Sequence, residues 1–204
     1  MAKAIKIKPD NSTEEKIKEA ARIVFSKKGY AATRTRDIAE EAKINLALLN
    51  YYFRSKEKLF EIIMLEKLQS LFGMLLPILM DSETTLEKKV ELIASSYIDL
   101  LIVTPDLPLF VLSEIRNHPE RFTEKMQVGK LIKDSVFVKQ IMTKRKDLHP
   151  LHFLMSLLGM LLFPFIARPL FGSIGALDQK QFEALMQQRK LLVPEWMESI
   201  LNNN

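Results

Sequence analysis

The sequence predicts an all-α protein. Glycine is 6 and proline 9 of 204 residues, too few for a turn-dense β architecture. Apolar residues recur at helical spacing along most of the chain, and no segment of the first third alternates with period two. Capping and stop residues fall between these apolar runs at intervals that predict about nine helices. With 48% hydrophobic and 27% charged residues, the chain is neither disordered nor membrane-embedded in character. Its length suits one sizeable domain, or a small domain joined to a larger one.

Residues 1–11 read as a flexible basic arm ending at Pro9-Asp10. Ser12 with Glu15 forms a capping-box start, and Ile17, Ala20, Ala21, Val24 and Phe25 mark one helix over about 13–28 that Gly29 stops. Thr35 can cap a short second helix carrying Ile38, Ala39 and Ala42. Lys43-Ile44-Asn45 is a tight connection, and Asn45 caps a third short helix ending near Phe53. Ser55 caps the next segment, whose Leu59, Phe60, Ile63, Leu68 and Phe72 run toward Pro77. Further helices are expected over Leu86–Leu101, around Leu109–Asn117, and over 120–145 with a kink near Gly129. His149-Pro150 opens the most apolar stretch, Leu151 to Phe171. The last, Asp178 to Leu201, is expected to restart at Pro194.

Composition removes several functions. Cysteine is absent, so disulfides, thiolate nucleophiles and thiolate metal sites are excluded together, and a reducing, cytoplasmic setting is expected. Neither a dinucleotide fingerprint nor a phosphate-binding glycine loop occurs, and no cofactor is expected. The N-terminus lacks the apolar core of a secretory signal. Of the three histidines, His118, His149 and His152, the last two are three apart, but Pro150 intervenes and neither an HExxH motif nor a Glu-x-x-His pair occurs. No metal is expected and the chain is not read as an enzyme; a histidine-dependent metalloenzyme is the remotest alternative.

Charge is unevenly distributed. Residues 1–58 hold 14 Lys and Arg against 8 Asp and Glu, whereas the net charge of the whole chain is only +5. The basic excess therefore lies in the first quarter, which suggests contact with nucleic acid or another anionic surface there. Three short helices with a tight turn between the second and third are the makings of a helix-turn-helix unit. Leu49 and Phe53, four apart, can pin the third helix from behind. Leu46, Ala47, Asn50 and Tyr51 then face outward, flanked by Arg34, Arg36, Lys56 and Lys58. A purely structural three-helix bundle fits the same pattern, and so does a protein bound to a membrane surface.

The runs GYAATRTRDIAEEA over 29–42 and INLALLNYYF over 44–53, followed by SKEKL over 55–59, resemble the DNA-binding domain of the TetR family. The resemblance covers about 12–60, under a third of the chain. It implies an N-terminal three-helix DNA-binding domain (12–58) followed by a larger helical domain (59–204) that binds an effector and forms a homodimer. It implies a transcriptional regulator, with repression the commoner mode, bound to double-stranded DNA at an inverted-repeat operator. By position, Thr33, Thr35 and Arg36 are expected at the phosphate backbone or a groove edge. Asn45, Leu46 and Ala47 are expected to read bases, and Tyr51, Tyr52 and Lys56 to clamp the backbone. The chain departs from the family pattern twice. Lys43 stands where glycine is common in the turn, and Asn50 where an aromatic is common, which opens a bidentate pairing with adenine.

The remaining two-thirds carries no quotable motif. Ten methionines and twelve phenylalanines supply flexible or aromatic apolar surface. Met64, Phe72, Phe110, Met126 and Met155 are taken as candidates for a pocket holding an unidentified apolar or amphipathic effector, with plain core packing as the alternative. The stretch 151–171 is too interrupted for a membrane span. Its small residues Ser156 and Gly159 would allow a second helix close approach, so Met155, Ser156, Gly159 and Phe163, with Phe182, Leu185 and Met186, are the expected dimer seam.

Overall fold

The computed structural model describes residues 11–117, 119–126, 129, 134–175 and 177–202. Among them the backbone forms eleven helices and no strand, so the all-α expectation holds with two more helices than anticipated. They are α1 (Asn11–Ala32), α2 (Thr35–Glu41), α3 (Leu46–Phe53), α4 (Lys56–Met80), α5 (Leu86–Val103) and α6 (Leu107–Asn117). Then come α7 (Pro119–Met126), α8 (Val136–Lys144), α9 (Pro150–Ile166), α10 (Arg168–Ser173) and α11 (Gln179–Asn202). The basic arm, apart from Asn11, lies outside the described residues, as does much of the expected kink near Gly129.

The chain divides into two compact units between Lys67 and Leu68, inside α4 and later than the 58/59 boundary expected from the sequence. The reason is aromatic and ionic packing of the first turns of α4 on α1. Phe60 stacks edge-on to Phe25 with ring centroids 5.0 Å apart and lies 4.5 Å from Tyr30. Glu66 accepts from Lys18 at 3.2 Å and from Arg22 at 2.6 Å.

In the first unit Ile17, Ala21, Phe25, Ile38, Leu49, Phe53, Leu59 and Ile63 are buried. Gly29 breaks α1 where the sequence placed its stop, at φ 72 and ψ 169, a conformation that only glycine adopts without strain. The short helices are closed by their own polar side chains. At α2 the Arg34 N–H donates to the Asp37 carboxylate at 2.9 Å, so Arg34, and not Thr35, is the N-cap. The Asn45 side chain accepts from Leu48 N–H at 2.7 Å and the Ser55 hydroxyl from Lys58 N–H at 3.1 Å.

The second unit is built on α5 and α11. Leu86, Val90, Ile93, Ala94, Ile98 and Leu101 form the buried stripe of α5. Phe182, Met186, Val193, Met197 and Leu201 form that of α11. Helix α9 adds Phe153, Leu157, Leu161 and Phe165, a strict four-residue period along one face. Edge-on aromatic pairs join Phe137 to Phe153 and Phe165 to Phe182, at 6.1 and 5.4 Å. Lys89 is fully buried on α5, and its amine donates to the Asp81 carbonyl at 2.5 Å, just past the end of α4. Burial lowers its pKa, against the raising influence of Asp81.

Three prolines sit inside helices that continue through them: Pro77 in α4, Pro164 in α9 and Pro194 in α11. Pro77 was expected near a helix end and Pro194 at a restart. A proline removes one rung of the helix ladder, freeing the carbonyl four residues earlier. At Pro164 the freed group is the Met160 carbonyl, and the Arg189 guanidinium of α11 donates to it at 2.8 Å. A side chain from another helix thus replaces the missing N–H.

Candidate nucleic-acid interface

Helices α2 and α3 and the turn between them build a surface from a few backbone decisions. Ala42 N–H donates to the Ile38 carbonyl, Lys43 N–H to Glu40 and Ile44 N–H to Ala39, at 2.9, 3.0 and 3.0 Å. Lys43 adopts a φ of 54, the left-handed conformation for which its position calls for glycine. The turn keeps its shape, and the lysine carries the strain, on the order of 1–2 kcal/mol. Its side chain is exposed.

Leu49 and Phe53 anchor α3 from behind, the first fully buried and the second nearly so. Ala47, Asn50 and Tyr51 are exposed, and so is Arg54 just past the helix end. These four positions recur at three- and four-residue spacing and share one face. Tyr51 is 53% exposed and its ring meets that of Tyr52 edge-on at 5.5 Å. Leu46 and Tyr52 are half-buried at the margins. Arg36, Lys43 and Arg54 are exposed with no carboxylate within ion-pair distance among the described residues. Lys58, by contrast, is bridged to Glu61 at 2.9 Å. The Asp37 carboxyl is held below its usual range by the Arg34 N–H first and by Lys28 second. It stays charged at the start of α2, where the helix dipole favours it.

Three residues expected at the DNA are occupied otherwise. Thr33 is only 2% exposed, and its hydroxyl donates to the Gly29 carbonyl at 2.7 Å. Lys56 turns its amine inward, donating to the carbonyls of Tyr30 and Thr33 at 3.0 and 3.1 Å. The same ammonium lies 4.1 Å from the centroid of the Tyr30 ring. These contacts fasten the segment after Gly29 to the start of α4. The Tyr30 hydroxyl completes this joint by donating to Glu57 at 3.0 Å, and burial followed by Glu57 raises its pKa. Asn45 commits one lone pair of its side-chain carbonyl to the cap of α3. Thr35 is half-buried and Arg36 exposed, as a groove-edge contact requires. Sequence reasoning passed over Arg54, although its place on the 47, 50, 51 stripe was readable from helical spacing.

The pocket and seam candidates are also dispersed. Met64 is buried in the core of the first unit. Phe72 and Phe110 are half-buried in the second, and the side chain of Met126 lies outside the described residues. Met155 is 60% exposed, facing away from the core stripe of α9 with Gly159 and Phe163. Leu185 is exposed on α11, but Phe182 and Met186 are buried in the chain's own core and support that face from beneath. Ser156 is half-buried. His149, considered as a metal ligand, uses its ring nitrogen to accept from Leu151 N–H at 3.3 Å. Its ring centroid lies 6.5 Å from that of His152.

Comparison with known proteins bears on this surface directly. Residues 17–63 match the family model described as bacterial regulatory proteins, tetR family. Over 123 residues the chain is 32% identical to the HTH-type transcriptional repressor KstR2 of Mycolicibacterium smegmatis, covering 54% of this chain and 60% of that protein. The chain spans less than two thirds of the length of the curated relatives it matches. Its fold is that of a TetR/AcrR-family transcriptional regulator from Thermobifida fusca, at TM-score 0.58 and 19% identity over 90% of this chain and 97% of the other. It is also that of the transcriptional regulator FadR from Bacillus subtilis, solved in complex with stearoyl-CoA. There the TM-score is 0.55 and the identity 16%, over 88% and 97%. The helix-turn-helix geometry and the matched segment agree: residues 17–63 are similar to bacterial regulatory proteins of the tetR family, and the chain shares the fold of the Thermobifida regulator.

Proposed function

We propose that this protein is a cytoplasmic transcriptional repressor. It binds double-stranded DNA as a homodimer at an inverted repeat, and a small apolar or amphipathic effector releases it. The observation that carries the DNA half is the exposed stripe Ala47, Asn50, Tyr51 and Arg54 on α3, backed by buried Leu49 and Phe53. A short helix held rigidly from behind, with unpaired cations at Arg36, Lys43 and Arg54, suits a major groove. Ala47 and Asn50 are placed for base edges, where asparagine pairs bidentately with adenine. The cations and Tyr51 suit phosphates.

The dimer is supported by the outward face of α9 and α11, where Met155, Phe163, Leu185, Leu191 and Trp196 are exposed in one unit of the chain. Scattered apolar residues are ordinary on a surface, but several large ones on two packed helices call for cover. A two-fold pair presents two α3 helices, and so an inverted repeat with half-sites about one DNA turn apart. Effector control is supported by α4, whose 25 residues begin beside α3 in sequence and end in the second unit. Movement at its far end is carried to its near end. The stearoyl-CoA in the Bacillus FadR structure makes amphipathic acyl compounds the first to try.

Selection from a random duplex pool tests the reading. Enrichment of an inverted repeat, bound by two chains, is expected. Enrichment of no sequence, or of a single half-site bound by one chain, would remove it.

A further inference from the structure

Helix α3 faces outward from the helix-turn-helix and yet holds no charged side chain. Between Leu46 and Phe53 its polar groups are those of Asn50, Tyr51 and Tyr52. The cations stand off it: Arg36 on α2, Lys43 in the turn and Arg54 past the last residue, each exposed. Charge and base contact are thus placed on different elements. In a major groove, guanine is read by a bidentate arginine or lysine, and cytosine by a carboxylate that accepts from its amine. Helix α3 offers neither. It offers the Asn50 amide, exposed and with no hydrogen-bond partner among the described residues. A free carboxamide matches the N6 amine and N7 of adenine. About one turn earlier Ala47 exposes its methyl group beside half-buried Leu46, and a small apolar contact suits the methyl of thymine. A tyrosine hydroxyl both donates and accepts, so it separates the base pairs less sharply. Ala47 and Asn50 lie about 4.5 Å apart along the helix axis, close to the spacing of about 3.4 Å between successive base pairs.

We propose that α3 reads a step of two adjacent A·T pairs in each half-site, one at its adenine through Asn50 and the next at its thymine methyl through Ala47. Arg36, Lys43 and Arg54 add affinity for any sequence and leave the choice of sequence to two uncharged groups. This names the base pairs that the surface takes, and it rests on the DNA-binding reading above. It also separates two quantities. Affinity falls with salt, because each phosphate contact releases counterions. The ratio of affinities for a matched and an altered half-site keeps its value, because the groups that discriminate carry no charge.

The test uses the full-length protein and the duplex that it enriches from a random pool, with 7-deazaadenine or deoxyuridine entered at one position at a time. The first analogue removes N7 of adenine and the second the methyl of thymine. At one adenine of each half-site affinity should fall about tenfold, and loss of the methyl at the neighbouring pair should lower it about fourfold. Asn50→Ala should erase the first effect and spare the second, and Ala47→Gly should do the reverse. Each effect is a ratio within one variant, so a smaller folded fraction does not move it. The wild-type scan decides by itself where a variant does not bind. Arg54→Ala should weaken matched and altered duplexes alike. Both wild-type ratios should hold between about 50 and 200 mM salt. Insensitivity to either analogue, or an adenine effect that survives in Asn50→Ala, overturns the proposal. Ratios that collapse with salt assign the reading to the cations and overturn it too. An inverted repeat whose sensitive pairs are all G·C overturns it while leaving the DNA-binding reading intact. A pool that enriches no sequence removes both.

Discussion

In the first unit polar side chains close short helices, and in the second, long helices run on through their own faults. Arg34 with Asp37, Asn45 and Ser55 each secure a helix start within three residues of themselves. Lys56 ties down the break at Gly29 from 23 and 26 residues away. The apolar surface is largely spent on the core, and what stays outside is a stripe of Asn, Tyr and Arg with small Ala47. The second unit leaves Met155, Phe163, Leu170, Ile174 and Leu191 more than half exposed. One of its prolines, Pro164, interrupts a ladder that a side chain of α11 supports. The first surface is built from local rules, and the second is left unfinished by them.

Substitutions can break this contrast or sharpen it. The largest effect is expected from Phe53→Ala, which removes an aromatic anchor of α3 and should cost about 3–5 kcal/mol, read by urea unfolding. Next is Lys56→Met, which strands the carbonyls of Tyr30 and Thr33 and should cost about 1–3 kcal/mol. DNA binding sharpens that result. Arg36→Ala and Arg54→Ala should each reduce the slope of log affinity against log salt by about one unit. Lys56→Met should leave the slope unchanged, and a drop there would restore the phosphate role that its inward amine contradicts. Lys43→Gly should stabilise the turn by less than about 1 kcal/mol, because relief of the left-handed strain is offset by glycine's greater entropy loss.

The narrowest effect in its conditions is a pH dependence confined to the second unit. Burial pushes the Tyr97 hydroxyl up to about 12 from its usual 10. A raised folded-state pKa leaves stability intact below pH 10 and erodes it as pH rises through about 12. Tyr97→Phe should flatten that alkaline loss in thermal melts between those values. An unchanged profile would mean that the hydroxyl ionises as freely as in the unfolded chain.

The same contrast governs what could be read from the sequence. The stop at Gly29 and the caps at Asn45 and Ser55 depend on neighbours a few residues away, so spacing alone located them. The outward stripe of α3 followed from helical periodicity, and Met155, Gly159 and Phe163 lie outward as their spacing suggested. The inward bonds of Lys56 were not legible because nothing local reveals which way a long side chain bends. Thr33 was misread because its burial depends on Gly29 turning the chain back. Phe182 and Met186 passed for a seam because an apolar stripe looks alike whether its cover comes from α5 or from another chain. Arg189 gave no local sign of its role, since the carbonyl that it serves lies 29 positions earlier.

That last contact makes two distant positions one unit of inheritance. Pro164 opens a gap in α9, and Arg189 fills it. If Pro164 gives way to an ordinary residue, the Met160 carbonyl regains a partner within its own helix and the arginine loses its post. If Arg189 is lost first, a part-buried carbonyl loses its partner. A related chain that keeps this proline is therefore expected to keep the arginine, and one that has lost the proline is expected to let the arginine vary.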